Sequence, residues 1–244
     1  MKTTKLFLSL ALFTLILTSL AAQNNKKTIL KVSYTTNDVS DFIVTMLKNQ
    51  IKDPAEYSKV INQISKHKTY HTLYYNLSNN ESMYILDSIN KVEGLSTVGN
   101  IFYIFKNAQK ELQGKESFMG SEFNFIGNSE TIKWEITNEV KEFNGYKCRK
   151  AIMKNDPEIY VWFTSDLALD AGPYIYYGLP GLVLESNSFF QSVSATKVEY
   201  ESKEVFDAKL KEIKDMMNSK NGISLNDVIV KKGNFKRIAE KGKK

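Results

Sequence analysis

The sequence predicts a mainly β fold: a curved antiparallel sheet or partly open β-barrel with two flanking helices, an α+β arrangement being the alternative. Three observations predict it. Short segments of alternating apolar and polar residues recur along the chain. Turn-forming pairs such as Asn144-Gly145 and Asp156-Pro157 separate them. The regular helical crossovers that parallel βαβ units need are missing from the pattern. Such a sheet must cover one face with helices or close on itself.

The elements follow in order. In residues 28–36, Leu30, Val32 and Tyr34 face one way and Lys31 and Ser33 the other, a first strand. Residues 38–52 are ambiguous: Phe42, Met46 and Leu47 share a helical face, but the neighbouring Ile43, Val44 and Thr45 are β-branched. Asp53-Pro54 opens a helix that runs to about Lys66, with Asp53 as N-cap, Pro54 in the first turn and Glu56 completing a capping box. Residues 69–77 and 81–87 read as two strands around Ser78-Asn79-Asn80. Residues 90–114 read as a polar loop carrying a short strand at 101–105, and residues 118–126 as a further strand. The middle alternates most clearly: Ile132, Trp134, Ile136 and Val140 fall on one face of a strand and Lys133, Glu135, Thr137 and Glu139 on the other. Asn144-Gly145 turns this strand into a partner at 146–153. Strands at 158–164, 182–188 and 192–200 follow. A last helix spans about 204–218, where Phe206, Leu210, Ile213 and Met217 line one face before Asn221-Gly222 ends it.

This domain occupies residues 22–230, between two segments of different character. Residues 1–21 have Lys2 and Lys5 ahead of an apolar stretch at 6–17. Ser19 and Ala21 are small residues at the positions a signal peptidase reads. The expectation is a cleaved secretory signal and a periplasmic or secreted product. No cysteine stands at the cleavage point, so the product is not expected to be a lipoprotein. Residues 231–244 form a basic tail of net charge +6, and residues 23–230 carry −2. The chain's overall +6 thus comes from its ends, which argues against a nucleic-acid-binding face. The tail leaves room for weak contact with a membrane surface or for plain solvated charge.

The segment 171–185 (AGPYIYYGLPGLVLE) contains Gly178-Leu179-Pro180-Gly181-Leu182-Val183. With Trp134, the run Gly145-Tyr146-Lys147-Cys148-Arg149-Lys150-Ala151, Trp162-Phe163-Thr164 and Gly172-Pro173, it resembles the GLPGLI family of exported Bacteroidetes proteins. The last residue of the hexapeptide is Val183 in place of Ile. The likeness is concentrated in residues 130–190. It implies an exported envelope protein and carries over no catalytic residues.

Chemistry is sparse. One cysteine, Cys148, excludes an internal disulfide, and two histidines, His67 and His71, exclude a His-rich zinc centre. No phosphate-loop or dinucleotide motif occurs, so no cofactor is expected. Cys148 reads as a buried core thiol, with Trp134 and Ile136 also assigned to the core. Gly172, Pro173, Gly178, Leu179, Pro180, Gly181, Leu182 and Val183 read either as a rigid corner locking a strand or as a loop guarding a cavity mouth. Tyr174, Tyr176, Tyr177, Leu179 and Trp162 are the candidate ligand-lining side chains. Asp166, Asp170 and Glu185 offer an acid–base pair only if folding brings them together. The favoured function is a non-enzymatic binding or structural protein of the envelope, with a lipid, a glycan or another envelope protein as partner. A hydrolase using those carboxylates is one alternative. A partner surface built on exposed Tyr174, Tyr176 and Tyr177 is another.

Overall fold

The computed structural model describes residues 27–93, 99–217, 222–230 and 232. The leading apolar segment and the tail, apart from Lys232, lie outside the described residues. The chain runs β1 (Ile29–Asn37), α1 (Asp41–Gln50), α2 (Pro54–Ile64), β2 (Lys68–Asn76), β3 (Ser82–Asn90), β4 (Ile101–Lys106), β5 (Glu111–Phe118), β6 (Ser121–Asn128) and a short 3₁₀ turn, Ser129–Thr131. It continues with β7 (Trp134–Phe143), β8 (Tyr146–Met153), β9 (Asp156–Thr164), β10 (Leu182–Asn187), β11 (Ser192–Glu201), α3 (Lys203–Met217) and β12 (Gly222–Ser224). Residues 225–230 are helical. Among the described residues, no helix is long and apolar enough to cross a membrane.

The strands form one 12-stranded sheet in the order β12-β6-β5-β4-β3-β2-β1-β11-β10-β9-β8-β7. It is two meanders, β1 to β6 and β7 to β11, joined where β1 pairs antiparallel with β11. Among the described strand pairs, only β12–β6 is parallel. The link between the meanders forces curvature. Residues 129–133 run from β6, near one end of the order, to β7 at the other. Laid flat, those strands would stand about 48 Å apart at the usual spacing of ~4.8 Å. So short a link reaches about 20 Å when fully extended. The sheet therefore curls until its two ends approach, although β6 and β7 do not pair.

Curling gives the sheet an inside and an outside. Inside lies the main core, to which nearly every strand contributes, among them Leu30, Val32, Tyr34, Leu73, Tyr84, Ile104, Phe125, Cys148, Val161 and Phe163. Outside, Ile29, Tyr74, Met83, Ile85 and Tyr103 form a second patch, covered by Phe206 and Ile213 of α3. Leu210 and Met217 pack at its margin, so the stripe read from the sequence is the face that α3 buries.

Three elements differ from the sequence reading. Residues 41–50 are helical because Ser40 caps them: its Oγ accepts the Ile43 N–H at 3.3 Å, and Asp41 sits in the first turn. In the segment 90–114 the short strand expected at 101–105 is present as β4, but the polar loop after it is short: the chain turns through Lys110 at φ 67° into β5, which starts at Glu111. On β7, Ile136 is 39% exposed, which corrects its assignment to the core, and Val140, expected on the same face, is 56% exposed. β7 ends the strand order, and its pairing with β8 shifts register between Ile136 and Val140, breaking the alternation there. Trp134, just before the bulge, is half-buried against the main core.

Candidate functional site

Between β9 and β10 the chain makes a long irregular excursion, residues 165–181, that packs Ala171, Ile175, Tyr176, Tyr177 and Leu179 into the main core. Its conformation is fixed by contacts with both meanders. The Trp134 indole N–H donates to the Tyr177 carbonyl at 2.7 Å, the Tyr177 hydroxyl meets Ser82 Oγ at 3.2 Å, and the Tyr34 hydroxyl donates to the Val183 carbonyl at 2.6 Å. The Asp170 carboxylate accepts the Gly178 N–H at 2.5 Å. Gly178 has φ +89°, a backbone state other residues rarely adopt. A Cβ on Gly181 would come 2.1 Å from the Thr164 carbonyl oxygen. The hexapeptide is therefore a corner that seats β10 against β9, with Leu179, Leu182 and Val183 buried.

The tyrosines are held by the same packing. Tyr176 and Tyr177 are buried, and burial raises their phenols far above the ordinary range. Tyr174 is half-buried at φ 55°, a strained state for an aromatic residue. These rings are not an exposed patch, which removes the partner surface the sequence offered. Two of the candidate lining residues, Tyr174 and Tyr176, do border a cavity. Tyr177 and Leu179 lie in the core behind it. Trp162 is half-buried on β9, with Lys141 Nζ 4.5 Å from its ring centre.

The cavity is about 100 Å³ and is walled by Ile101, Met153, Ile159, Ile175 and Val193, with Phe189 and Phe190 at its edge. The polar groups at its boundary are Asp156, Ser188, Gln191 and Lys232. Beside Lys232 lies the feature that sequence reading missed. Glu116 is 1% exposed, and its carboxylate takes Lys232 Nζ at 2.6 Å and the Tyr174 hydroxyl at 3.3 Å. Lys232 also donates to the Tyr174 oxygen at 2.8 Å and lies 4.6 Å from the centre of its ring. Burial and the adjacent Glu116 charge drive the Tyr174 phenol well above its usual range. The signal for Glu116 was its phase. On β5, Leu112, Gly114, Glu116 and Phe118 share the buried face, and a carboxylate in such a row needs a partner.

The remaining polar candidates serve the fold. Glu185 is ion-paired with Lys141, and Asp166 is exposed. Cys148 is buried between strands, and burial pushes its thiol up to about 11. His67 Nδ1 lies 2.9 Å from Asp38 Oδ2, and the other Asp38 oxygen accepts from Gln191 at 3.2 Å. His71 sits on β2, with Nε2 3.0 Å from the Ile101 carbonyl oxygen and its ring stacked on Tyr84. Among the described residues, no group of three or more His, Cys, Asp or Glu side chains could hold a metal ion.

Residues 100–227 match the family described as N-glycanase peptide, N-terminal domain, a stretch longer than half the chain. The chain belongs to this family. The part that matches the N-glycanase N-terminal domain holds β4 to β11, the 165–181 excursion and most of the cavity wall. Two structures of PNGF-II resemble the chain. One, in space group C2, is 16% identical, with a TM-score of 0.46 over 80% of this chain and 30% of that one. The other, in space group P21, is 17% identical, with a TM-score of 0.43 over 72% of this chain and 29% of that one. The chain thus spans less than a third of PNGF-II. An uncharacterized conserved protein from Thermus thermophilus aligns over 83% of this chain and 93% of its own, at 7% identity and a TM-score of 0.36. No curated protein matches the chain.

Proposed function

We propose that the protein is an exported, non-enzymatic binding module whose ligand is a glycan, held at the cavity between the 165–181 excursion, Phe189-Phe190 and the helical turn at 225–230. The observation that carries this reading is the cavity's make-up: aromatic and aliphatic walls, with a carboxylate, an amide, a hydroxyl and an ammonium at the edge. Sugar rings present an apolar C–H face and a rim of hydroxyls, and a site of this composition answers both. Size points the same way. A volume of about 100 Å³ holds about seven to ten water-sized spheres, near the bulk of one sugar ring and short of a long acyl chain. Membership of the N-glycanase N-terminal-domain family supports a glycan over a lipid. The use of two of the candidate carboxylates within the fold supports a binding role: Asp170 holds the Gly178 backbone, and Glu185 pairs with Lys141. Export is the reading of residues 1–21, and the GLPGLI likeness agrees with it.

Calorimetric titration of the purified protein with neutral N-glycan oligosaccharides and with phospholipid vesicles tests the proposal. Saturable glycan binding is expected, abolished by Ile229→Trp, which fills the cavity edge, with the melting temperature retained. Glycan binding unaffected by Ile229→Trp, or binding of vesicles alone, would overturn it.

A further inference from the structure

A second hollow adjoins the first. It shares Ser188 and Phe189 with the cavity and opens on their far side to a volume of about 360 Å³. The start of α1 supplies Asp41, Phe42 and Thr45, the start of β9 supplies Glu158 and Tyr160, and the end of β10 supplies Asn187.

These walls are tied together. The Tyr160 hydroxyl donates to Asp41 Oδ2 at 2.8 Å, and the Asp41 N–H donates to Asn187 Oδ1 at 3.2 Å. Ser40 Oγ donates to the Phe189 carbonyl at 2.8 Å, and the Phe42 and Phe189 rings stack with centres 3.7 Å apart. The hollow therefore exists before any ligand arrives, which lowers the ordering cost of binding. Asn187 is only 8% exposed. Its Oδ1 is committed to Asp41, which fixes the amide orientation. With Oδ1 so held, the Nδ2 hydrogens are what this side chain can offer a ligand in the hollow it lines.

The chemistry complements that of the first cavity. There the walls are apolar; here two carboxylates, an amide, two hydroxyls and a phenol surround stacked rings. Carboxylates accept from sugar hydroxyls, and the Asn187 amide donates to a ring or hydroxyl oxygen. The charge is selective. Asp41 and Glu158 repel anions, and the neighbouring cation, Lys150, lies 4.8 Å from the Tyr160 ring centre with Glu139 3.1 Å from its ammonium.

We propose that this hollow is a second saccharide subsite, so that the ligand is a neutral glycan of at least two residues lying across Phe189. The proposal rests on the glycan reading of the first cavity and extends it to ligand length and charge.

The test uses the full chain in calorimetric titrations. The probes are N-acetylglucosamine and mannose, the β1,4-linked dimer of the first, the α1,3-linked dimer of the second, and the N-acetylglucosamine dimer sulfated at one O6. The better dimer is expected to bind at least about tenfold more tightly than its monosaccharide, and the sulfated dimer at least about tenfold more weakly than its parent. The double variant Thr45→Ala/Glu158→Ala is expected to bring the dimer-to-monosaccharide ratio to within about twofold of unity. Tyr160→Phe, which keeps the ring, gives an independent reading of that ratio. Equal binding of monomer and dimer, a ratio unchanged in both variants, or tighter binding of the sulfated dimer would overturn the second subsite and leave the first standing. Binding of none of the saccharides would remove both.

Discussion

Acid should destabilise this fold through His71 in a way that one substitution can isolate. The ring is buried, and its Nε2 hydrogen donates to the Ile101 carbonyl at 3.0 Å. The other nitrogen, Nδ1, is buried without a partner. Protonation would place a charge and a new N–H where nothing accepts it, and burial accordingly lowers the imidazole from its ordinary 6.5 to about 4. The unfolded chain therefore binds this proton at a higher pH than the folded one. The stability that neutral His71 contributes is complete above about pH 6.5 and is lost as pH falls toward 4. From these two values the loss is about 2 kcal/mol at pH 5 and approaches about 3.4 kcal/mol well below pH 4. His71→Phe keeps a ring to stack on Tyr84 and gives up the Ile101 hydrogen bond, a cost of about 1 kcal/mol that is the same at every pH. Urea denaturation of both proteins at pH 7 and pH 5 measures the difference. Other groups, including the His67–Asp38 pair, contribute to both proteins alike and cancel. The wild type should lose about 2 kcal/mol more than the variant between the two pH values. Equal losses, to within about 0.5 kcal/mol, would refute the reasoning.

Three further outcomes are expected. Gly181→Ala should cost about 3 kcal/mol or more, because its Cβ would strike the Thr164 carbonyl. Gly178→Ala should cost only about 1 kcal/mol, from its positive φ alone, so urea midpoints that rank the two in the opposite order would contradict the corner described above. Lys232→Ala should destabilise by about 2 kcal/mol, because it leaves the Glu116 carboxylate buried with only Tyr174 beside it. Adding Glu116→Gln to that variant should recover most of the loss in the same assay. Cys148 should react with a thiol reagent only as fast as the protein unfolds, because its thiol is buried and raised to about 11; rapid labelling of native protein would show a different environment.

The strands that sequence reading placed best are those whose two faces meet different surroundings. β1 alternates because Leu30, Val32 and Tyr34 enter the main core, and the α3 stripe is clean because one side of that helix meets the sheet and the other meets water. Alternation misled at β7, where an edge position and a bulge carry Ile136 out to solvent and no local signal marks the end of the strand order. The hairpin at 78–80 lacked a glycine, yet Asn80 at φ 62° does that work. The first helix turned on Ser40 as a cap, which the β-branched run after it obscured. At the site, the excursion and its tyrosines were visible as composition. The Glu116–Lys232 pair was not, since its members stand far apart in the chain and meet only because the sheet curls.

The placement of β1 bears on how the molecule is made. The first of the described strands is the seam of the finished sheet, with β2 on one edge and β11 on the other. Its second neighbour is complete only at Glu201. Until then every growing chain holds β1 with one bare edge, and the meanders cannot be stitched together. Closure is thus a single, long-range event that waits for β11, the kind that makes β proteins slow to fold, and the sheet stays unstitched until that strand has been made.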